Sequence, residues 1–172
     1  IGPGNLPLNL IANRLGFSFD DGGDFARKGV IIDDLLKDLN NLKYYALQPP
    51  KSLGVEWLVG EVYDLLDEKY NPKDILRTLV EHLAIQISSE FKKYGIQEIY
   101  VTGGGTKNKF LIERIEQLSS TKIIIPENDL IDFKESLIFG FLGALYLNGD
   151  VNTLASVTGA SEDVTGGVLH VP

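Results

Sequence analysis

The sequence predicts an α/β fold that is rich in helices. Strands and helices alternate after residue 95, which is the pattern that places helices beside a parallel sheet. Residues 1–94 show helical spacing almost throughout, so helices are expected to dominate the fold. Hydrophobic residues make up 44% of the 172 residues, which is enough to bury a core and excludes a disordered chain.

The first half of the chain is predicted to be helical. The longest helix, 72–94, starts with Asn71 as N-cap and Pro72 in its first turn, and it carries an apolar residue at every fourth position. Most of the shorter helices end at a glycine or an asparagine, which favour helix termination. The shorter helices span 7–15, 24–28, 32–39 and 54–67, with a loop over 44–54.

The second half contains the predicted strands. Residues 96–101 and 122–125 have the β-branched and apolar composition of buried strands. Helices are predicted over 108–118 and 132–147, and a last short strand over 168–171. The two longer strands and the helix between them form the unit expected of a parallel sheet.

Composition excludes several classes of function. The net charge of -8 and the lack of a basic patch argue against nucleic-acid binding. No cysteine is present, which excludes disulfides and thiol chemistry and fits a reducing cytosol. His82 and His170 have no spaced partner, so no metal site is predicted. The longest apolar stretch, 137–147, is interrupted by glycines and is too short to span a bilayer.

Three successive glycines form the strongest local motif. Gly103, Gly104 and Gly105 follow a predicted buried strand and precede a helix. Glycines let the backbone approach a ligand closely, and the free N–H groups of a helix start attract phosphate. The segment has neither the Walker A pattern nor the dinucleotide fingerprint. It is interpreted as a ligand loop, with a plain strand-to-helix turn as the alternative.

Two further loops have similar features. Gly2, Gly4 and Asn5 precede a helix, and they are interpreted as a second ligand loop or as a frayed terminus. The acidic turn at 20–24 could hold Mg²⁺ through its carboxylates, but its glycines do not match a calcium loop. A solvated turn explains the same residues.

Charged residues outside these loops have two interpretations each. Lys51, with Ser52 and Glu56, could meet a phosphate from a proline-stiffened loop, or the three could simply form a loop and a helix start. Glu135 is well placed for catalysis at the mouth of a helix, but Asp132 also makes it part of a capping box.

In this order, the motifs resemble the anhydro-N-acetylmuramic acid kinases of bacteria, and the resemblance covers the whole chain. The lysine–serine and serine–threonine–glycine motifs are fairly specific, whereas the triple glycine alone is not. The matching segments are 2–5, 20–29, 50–56, 101–108, 134–139 and 156–160.

The resemblance implies a fold and a domain organisation. The fold is the C-terminal lobe of the ribonuclease-H-like architecture of actin-like ATPases and sugar kinases, helix-rich and with its first strands missing. Residues 1–172 would then be a single lobe of a two-lobe kinase. This lobe would comprise a helical insertion at 31–70, a nucleotide-side α/β part at 95–148 and a tail at 149–172.

The resemblance also implies an activity. Water would open the 1,6-anhydro bridge of anhydro-N-acetylmuramic acid while ATP, with Mg²⁺, phosphorylates the 6-oxygen. The product would be N-acetylmuramic acid 6-phosphate, formed in cytoplasmic cell-wall recycling. The implied partners are the sugar and ATP, with a homodimer as one candidate assembly and with no nucleic acid or membrane.

Residue roles follow from the matching motifs. Glu135 matches a glutamate that helps to position the attacking water, and Lys51, Ser52 and Glu56 match a motif near the active cleft. The residues that match the two loops around ATP are Gly103, Gly104, Gly105 and Asn108 on the adenosine side and Gly2, Gly4 and Asn5 near the phosphates and sugar.

The chain departs from the family pattern at its start. In the family an aspartate directly precedes the glycine–proline loop and acts as the base, and an N-terminal lobe precedes it. Without both, residues 1–172 alone are expected to be inactive and to bind ATP weakly. Two alternatives remain for function: another sugar or carboxylate kinase of the same superfamily, and a non-catalytic nucleotide- or sugar-binding module.

Overall fold

The protein is described by a computed structural model that covers residues 3–48 and 51–170. It is a helix-rich α/β protein with a small parallel sheet, as the sequence predicts. The chain divides into two compact units, Ile1–Pro126 and Glu127–Pro172. We refer to them as unit 1 and unit 2.

Unit 1 contains most of the helices, and each predicted helix is confirmed with shifted ends. Its helices are α1 (Asn5–Arg14), α2 (Asp24–Arg27), α3 (Asp33–Asn40), α4 (Lys43–Ala46), α5 (Val55–Trp57), α6 (Pro72–Lys93) and α7 (Lys109–Ser119). The loop predicted over 44–54 is wrong at its start, because α4 forms a single turn there. The predicted helix 54–67 is α5 followed by a π-helical turn (Leu58–Val62) and a 3-10 turn (Tyr63–Leu65).

The sheet of unit 1 has two parallel strands. β1 (Glu98–Tyr100) and β2 (Lys122–Ile124) are shorter than predicted, and Ile99 lies opposite Ile123. Helix α7 connects them, because parallel strands need a crossover of this length. The triple-glycine loop therefore lies between the end of β1 and the start of α7.

Helix α6 forms the centre of the core of unit 1. The Asn71 side chain accepts a hydrogen bond from the Lys73 N–H group, and Pro72 occupies the first position, as predicted. Its apolar residues pack with those of α1, α2, α3 and α7. Gly29 allows the chain to pass close to α6, since an added Cβ would collide with the Lys73 carbonyl oxygen.

A partly buried polar network joins α6 to α3 and α4. The Asn40 Oδ1 atom accepts a hydrogen bond from Gln86 Nε2 and lies 2.7 Å from His82 Nδ1. Because an amide oxygen only accepts, His82 carries its proton on Nδ1, and its Nε2 accepts a bond from the Tyr45 hydroxyl at 2.9 Å. The network uses both ring nitrogens of His82.

Unit 2 contains the helices α8 (Asn128–Asn148) and α9 (Ala155–Thr158). Helix α8 starts four residues before the predicted 132, so Asp132 lies inside the helix and the predicted capping box is wrong. The strand predicted over 168–171 is wrong over its described residues, 168–170. An antiparallel bridge joins Thr153 to Val164 instead. None of the described helices has the length and apolarity needed to cross a bilayer.

Candidate functional site

A pocket of about 320 Å³ in unit 1 brings together three loops of the sequence. The start of α1 forms one wall, the acidic turn before α2 forms the second, and the loop between β1 and α7 forms the third. The residues that line the pocket are Asn5, Leu8, Asn9, Phe19, Asp20, Asp21, Gly22, Gly104, Lys107 and Asn108.

The triple-glycine loop is held by hydrogen bonds at both ends, and the space beside Gly103 is open. Gly103 has a φ of 87°, which favours glycine, and its carbonyl oxygen accepts a bond of 2.8 Å from the Thr106 hydroxyl. Asn108 caps α7, since its Oδ1 accepts from the Leu111 N–H group at 3.0 Å. A Cβ added at Gly103 would meet no atom within 4 Å. This backbone is therefore free to approach a ligand.

The second predicted ligand loop lies directly beside the first. A Cβ built on Gly104 would lie 3.6 Å from the Asn5 Nδ2 atom, and one built on Gly105 would lie 3.8 Å from Asn5 Oδ1. Gly4 precedes α1 with a φ of 59°. Gly2 lies outside the described residues. The structure thus brings together Asn5 and the triple glycine, which are about one hundred residues apart in the sequence.

The acidic turn forms the third wall and is more buried than a solvated turn. Asp20 is only 7% exposed, and its two carboxylate oxygens accept bonds from the Phe25 and Ala26 N–H groups at 2.8 and 2.9 Å. It therefore holds the start of α2. The solvated interpretation is wrong for Asp20, whereas Asp21 is exposed in the pocket wall.

Gly23 joins the acidic turn to the triple-glycine loop. It is buried with a φ of 79°, and a Cβ there would collide with the Asn108 side chain and lie 2.6 Å from the Phe110 Cβ atom. The two walls therefore meet so closely that only a glycine fits between them. Because Asn108 also caps α7, this contact fixes the width of the pocket.

An ionic cluster links α6 to α7, the helix that follows the triple-glycine loop. Arg114 donates two bonds of 2.8 Å to the Glu81 carboxylate, and Arg77 donates one of 2.7 Å. Burial by itself would raise the pKa of Glu81, but the bonds from the two arginines outweigh it and lower that pKa. Arg77 also lies over the Phe110 ring, as does Arg27. Helix α7, which carries the loop, is thereby held against α6.

The pocket fits a phosphorylated ligand better than a bare metal ion. Within residues 3–48 and 51–170, no group of three histidine, aspartate or glutamate residues is arranged to hold a metal. Both oxygens of Asp20 already accept backbone hydrogen bonds. Mg²⁺ retains waters and is commonly bound through a few carboxylates together with substrate phosphates. The glycine backbone lets such phosphates approach closely.

The other predicted site residues are not among those that line this pocket. Lys51 lies over the Tyr44 ring at 4.6 Å and donates a 3.1 Å hydrogen bond to the Tyr44 carbonyl oxygen. Glu56 folds back over Gly54, while Ser52 is exposed beside them. Glu135 is exposed in the second turn of α8, in unit 2.

Sequence reasoning missed four lining residues, Leu8, Asn9, Phe19 and Lys107. Asn9 lies one turn after Asn5 on α1, so the spacing of four residues between two asparagines was a usable signal. Phe19 directly precedes the acidic turn and had no signal beyond its position.

The chain was compared with known protein families and relatives. A family profile described as anhydro-N-acetylmuramic acid kinase matches residues 1–172. A relative of that name from Francisella tularensis subsp. novicida is 35% identical over 98% of this chain and 47% of its own length. Relatives from Clostridioides difficile and Sulfurovum sp., also named anhydro-N-acetylmuramic acid kinase, are 34% and 33% identical.

Each match covers a larger share of this chain than of the relative. Nearly all of this chain is matched in each case, but the chain spans about half the length of the curated relatives it matches. The family profile and the named relatives agree with the motif resemblance along the chain. The chain belongs to the anhydro-N-acetylmuramic acid kinase family.

Proposed function

We propose that the gene product containing this chain is an ATP-dependent kinase of 1,6-anhydro-N-acetylmuramic acid. Residues 1–172 would form its C-terminal lobe, of the ribonuclease-H-like type. The observation that carries the proposal is the meeting of Asn5 with Gly104 and Gly105 in one pocket of a chain that belongs to this family. The β1–α7–β2 unit supports the fold assignment, because it is a parallel crossover of the kind that such a lobe contains.

In the proposed reaction, water gives a proton to the base of the full-length protein and its hydroxyl group to the anomeric carbon as the anhydro bridge opens. The released 6-oxygen takes the γ-phosphoryl group of ATP, and the products are N-acetylmuramic acid 6-phosphate and ADP. Phosphoryl transfer of this type depends on positioning and on stabilisation of charge. The product would feed cell-wall recycling in the cytoplasm.

Residues of unit 1 would bind and position the nucleotide. The backbone of Gly103, Gly104 and Gly105 would lie against it, because an added Cβ would meet no atom within 4 Å at Gly103 and would meet Asn5 no closer than 3.6 Å at Gly104 and Gly105. Asn5 would hold the phosphate side of the pocket, and Asn108 would keep the glycine loop at the start of α7. Mg²⁺ would bind together with the phosphates and supply charge stabilisation.

Glu135 is assigned a role in positioning the attacking water, on the basis of the family motif. Its exposure on α8 leaves the carboxylate available for this role. Lys51, Ser52 and Glu56 remain assigned to the cleft only by their motif. The contact of Lys51 with Tyr44 gives it a structural role in the described chain as well.

Substitution of Gly104 tests the proposed pocket directly. Gly104 does not have a positive φ, and an added side chain would point beside Asn5 without a backbone clash, so Gly104→Val should fold. In the full-length gene product we expect at least a tenfold rise in the KM for ATP, measured with anhydro-N-acetylmuramic acid as acceptor. Gly60→Val is the matched control, because Gly60 also has open space and no positive φ but lies outside the pocket.

Two outcomes would contradict the proposal. One is a full-length protein that transfers no phosphate to the anhydro sugar but phosphorylates another sugar or a carboxylate. The other is turnover by residues 1–172 alone at the rate of the full-length protein, since the lobe by itself is expected to be inactive and to bind ATP weakly. An unchanged KM for ATP in Gly104→Val would instead remove the glycine loop from the nucleotide site.

A further inference from the structure

We infer that Phe19 is the platform on which the base of the nucleotide stacks, and that it sets the preference of the pocket for nucleotides over plain polyphosphates. The inference rests on the proposed use of ATP. It concerns a residue that the motif resemblance does not assign.

The lining of the pocket combines groups suited to phosphates with a surface suited to a flat apolar group. Asn5 presents an amide and Gly104 presents backbone, whereas Leu8 and Phe19 present hydrocarbon. Leu8 is buried, so the exposed apolar surface of the lining belongs largely to the Phe19 ring. A nucleotide carries both phosphates and a planar base, which matches this lining.

The Phe19 ring is exposed and lacks an internal stacking partner. Its side chain is 56% exposed, and within the described part of the chain no other aromatic ring or cation packs on it. Phe17 has nearly the same exposure, 53%, but its ring packs against that of Phe25 at a centroid distance of 5.0 Å. The two phenylalanines differ mainly in that Phe17 is used by the fold and Phe19 faces the pocket.

The backbone around Phe19 is held in place before any ligand binds. Asp20, the next residue, is buried and bonded to the Phe25 and Ala26 N–H groups. The turn that follows is fixed by Gly23 against Asn108. Because this segment is already ordered, stacking of a base on Phe19 would cost little conformational entropy. An aromatic platform of this kind binds any base through its π face and favours the larger purines.

The test compares Phe19→Leu with Phe17→Leu in the full-length gene product. Leucine keeps an apolar side chain and removes the ring. Binding of ATP, CTP and inorganic tripolyphosphate is measured by calorimetry, and the KM for the sugar is measured in parallel. We expect Phe19→Leu to lower the affinity for ATP about tenfold, the affinity for CTP by a smaller factor, and the affinity for tripolyphosphate less than twofold. The KM for the sugar should be unchanged. Phe17→Leu should change the affinity for each of the three ligands less than twofold. Phe19→Trp keeps an aromatic ring, so it should bind ATP as the wild type does.

Three results would overturn the inference. They are unchanged ATP affinity in Phe19→Leu, equal weakening of ATP and tripolyphosphate, and a rise in the KM for the sugar alone. A thermal melt of each variant identifies any loss of folding, and Phe19→Trp then carries the test. If the wild type binds ATP through Phe19 but does not phosphorylate the anhydro sugar, the proposed function fails and this inference stands.

Discussion

Helices α6 and α8 have nearly equal lengths, 22 and 21 residues, but they use their apolar residues differently. Helix α6 carries a stripe of apolar residues at every fourth position, and eleven of its residues are buried. Helix α8 is apolar on all sides, yet none of its described residues is buried. The periodic placement of apolar residues, and not their number, therefore predicts which helix forms the core of its unit.

The two units differ in the same way. Among the described residues, the buried hydrophobic ones all come from unit 1, where they surround α6 and support the pocket. Within residues 127–170, large apolar side chains such as Phe139 and Leu147 are exposed. We therefore expect stability to respond to substitutions in unit 1 far more than to substitutions in α8.

The largest contrast is expected between two isoleucines, Ile75 on α6 and Ile138 on α8. Ile75 is 0% exposed and Ile138 is 44% exposed. Ile75→Ala should lower the free energy of unfolding by about 4 kcal/mol, because it leaves a cavity in the core. Ile138→Ala should cost less than about 1 kcal/mol. Urea unfolding followed by far-UV circular dichroism, which detects the helices of both units, measures both losses; equal losses would refute the contrast.

Acid should destabilise unit 1 through His82. Burial lowers the pKa of His82 to about 4, below its ordinary value of 6.5. A depressed histidine pKa means that the unfolded chain binds the proton first. The stabilisation that the neutral form of His82 gives to the folded state is therefore complete above pH 6.5 and is lost as the pH falls towards 4. Between pH 6.5 and 4.5 we expect a loss of about 2 kcal/mol.

His82→Gln provides the control for this pH dependence. Glutamine can keep hydrogen bonds to Asn40 and Tyr45 but cannot take up a proton. The difference in unfolding free energy between wild type and variant should therefore shrink as the pH falls from 6.5 to 4.5. Glu81 also contributes to acid loss, since its pKa is lowered, but its contribution begins below the ordinary glutamate value of 4.5. A difference in unfolding free energy that stays constant over this pH range would show that His82 does not cause the loss of stability in acid.

The smallest effect is expected at the helix caps, where two asparagines can be compared. Asn71 caps α6 and Asn108 caps α7, each through a hydrogen bond to a backbone N–H group. Each change to alanine should cost about 1 kcal/mol of stability. Only Asn108 lines the pocket, so only Asn108→Ala should also weaken ATP binding. Equal ATP affinity in both variants would show that the cap serves stability alone.

The sequence predicted the helices and strands of unit 1 well because their signals are local. The apolar stripe of α6 and the glycine after α1 are readable from spacing and residue type. Helix α4 was missed because a single turn has too few residues to show a period. The start of α8 was misplaced because Asp132 matches a capping pattern that the helix does not use.

The site was only partly predictable, because it depends on contacts between distant segments. The two glycine loops were recognised one by one, but their meeting at Asn5 depends on the packing of α1 on α6. The burial of Asp20 and the fit of Gly23 against Asn108 also depend on tertiary packing. Local patterns give candidate residues, while the pocket itself is formed by the core.

We propose that the loops at Asn5, the acidic turn and Gly104 form one nucleotide site. The most direct measurement is a titration of ¹⁵N-labelled residues 1–172 with ATP and Mg²⁺, followed by amide chemical shifts. We expect weak, saturable binding of ATP, with the largest amide shifts at Asn5, Asp21 and Gly104, which all lie in the pocket wall. Saturable binding that leaves these three amides unchanged would contradict it.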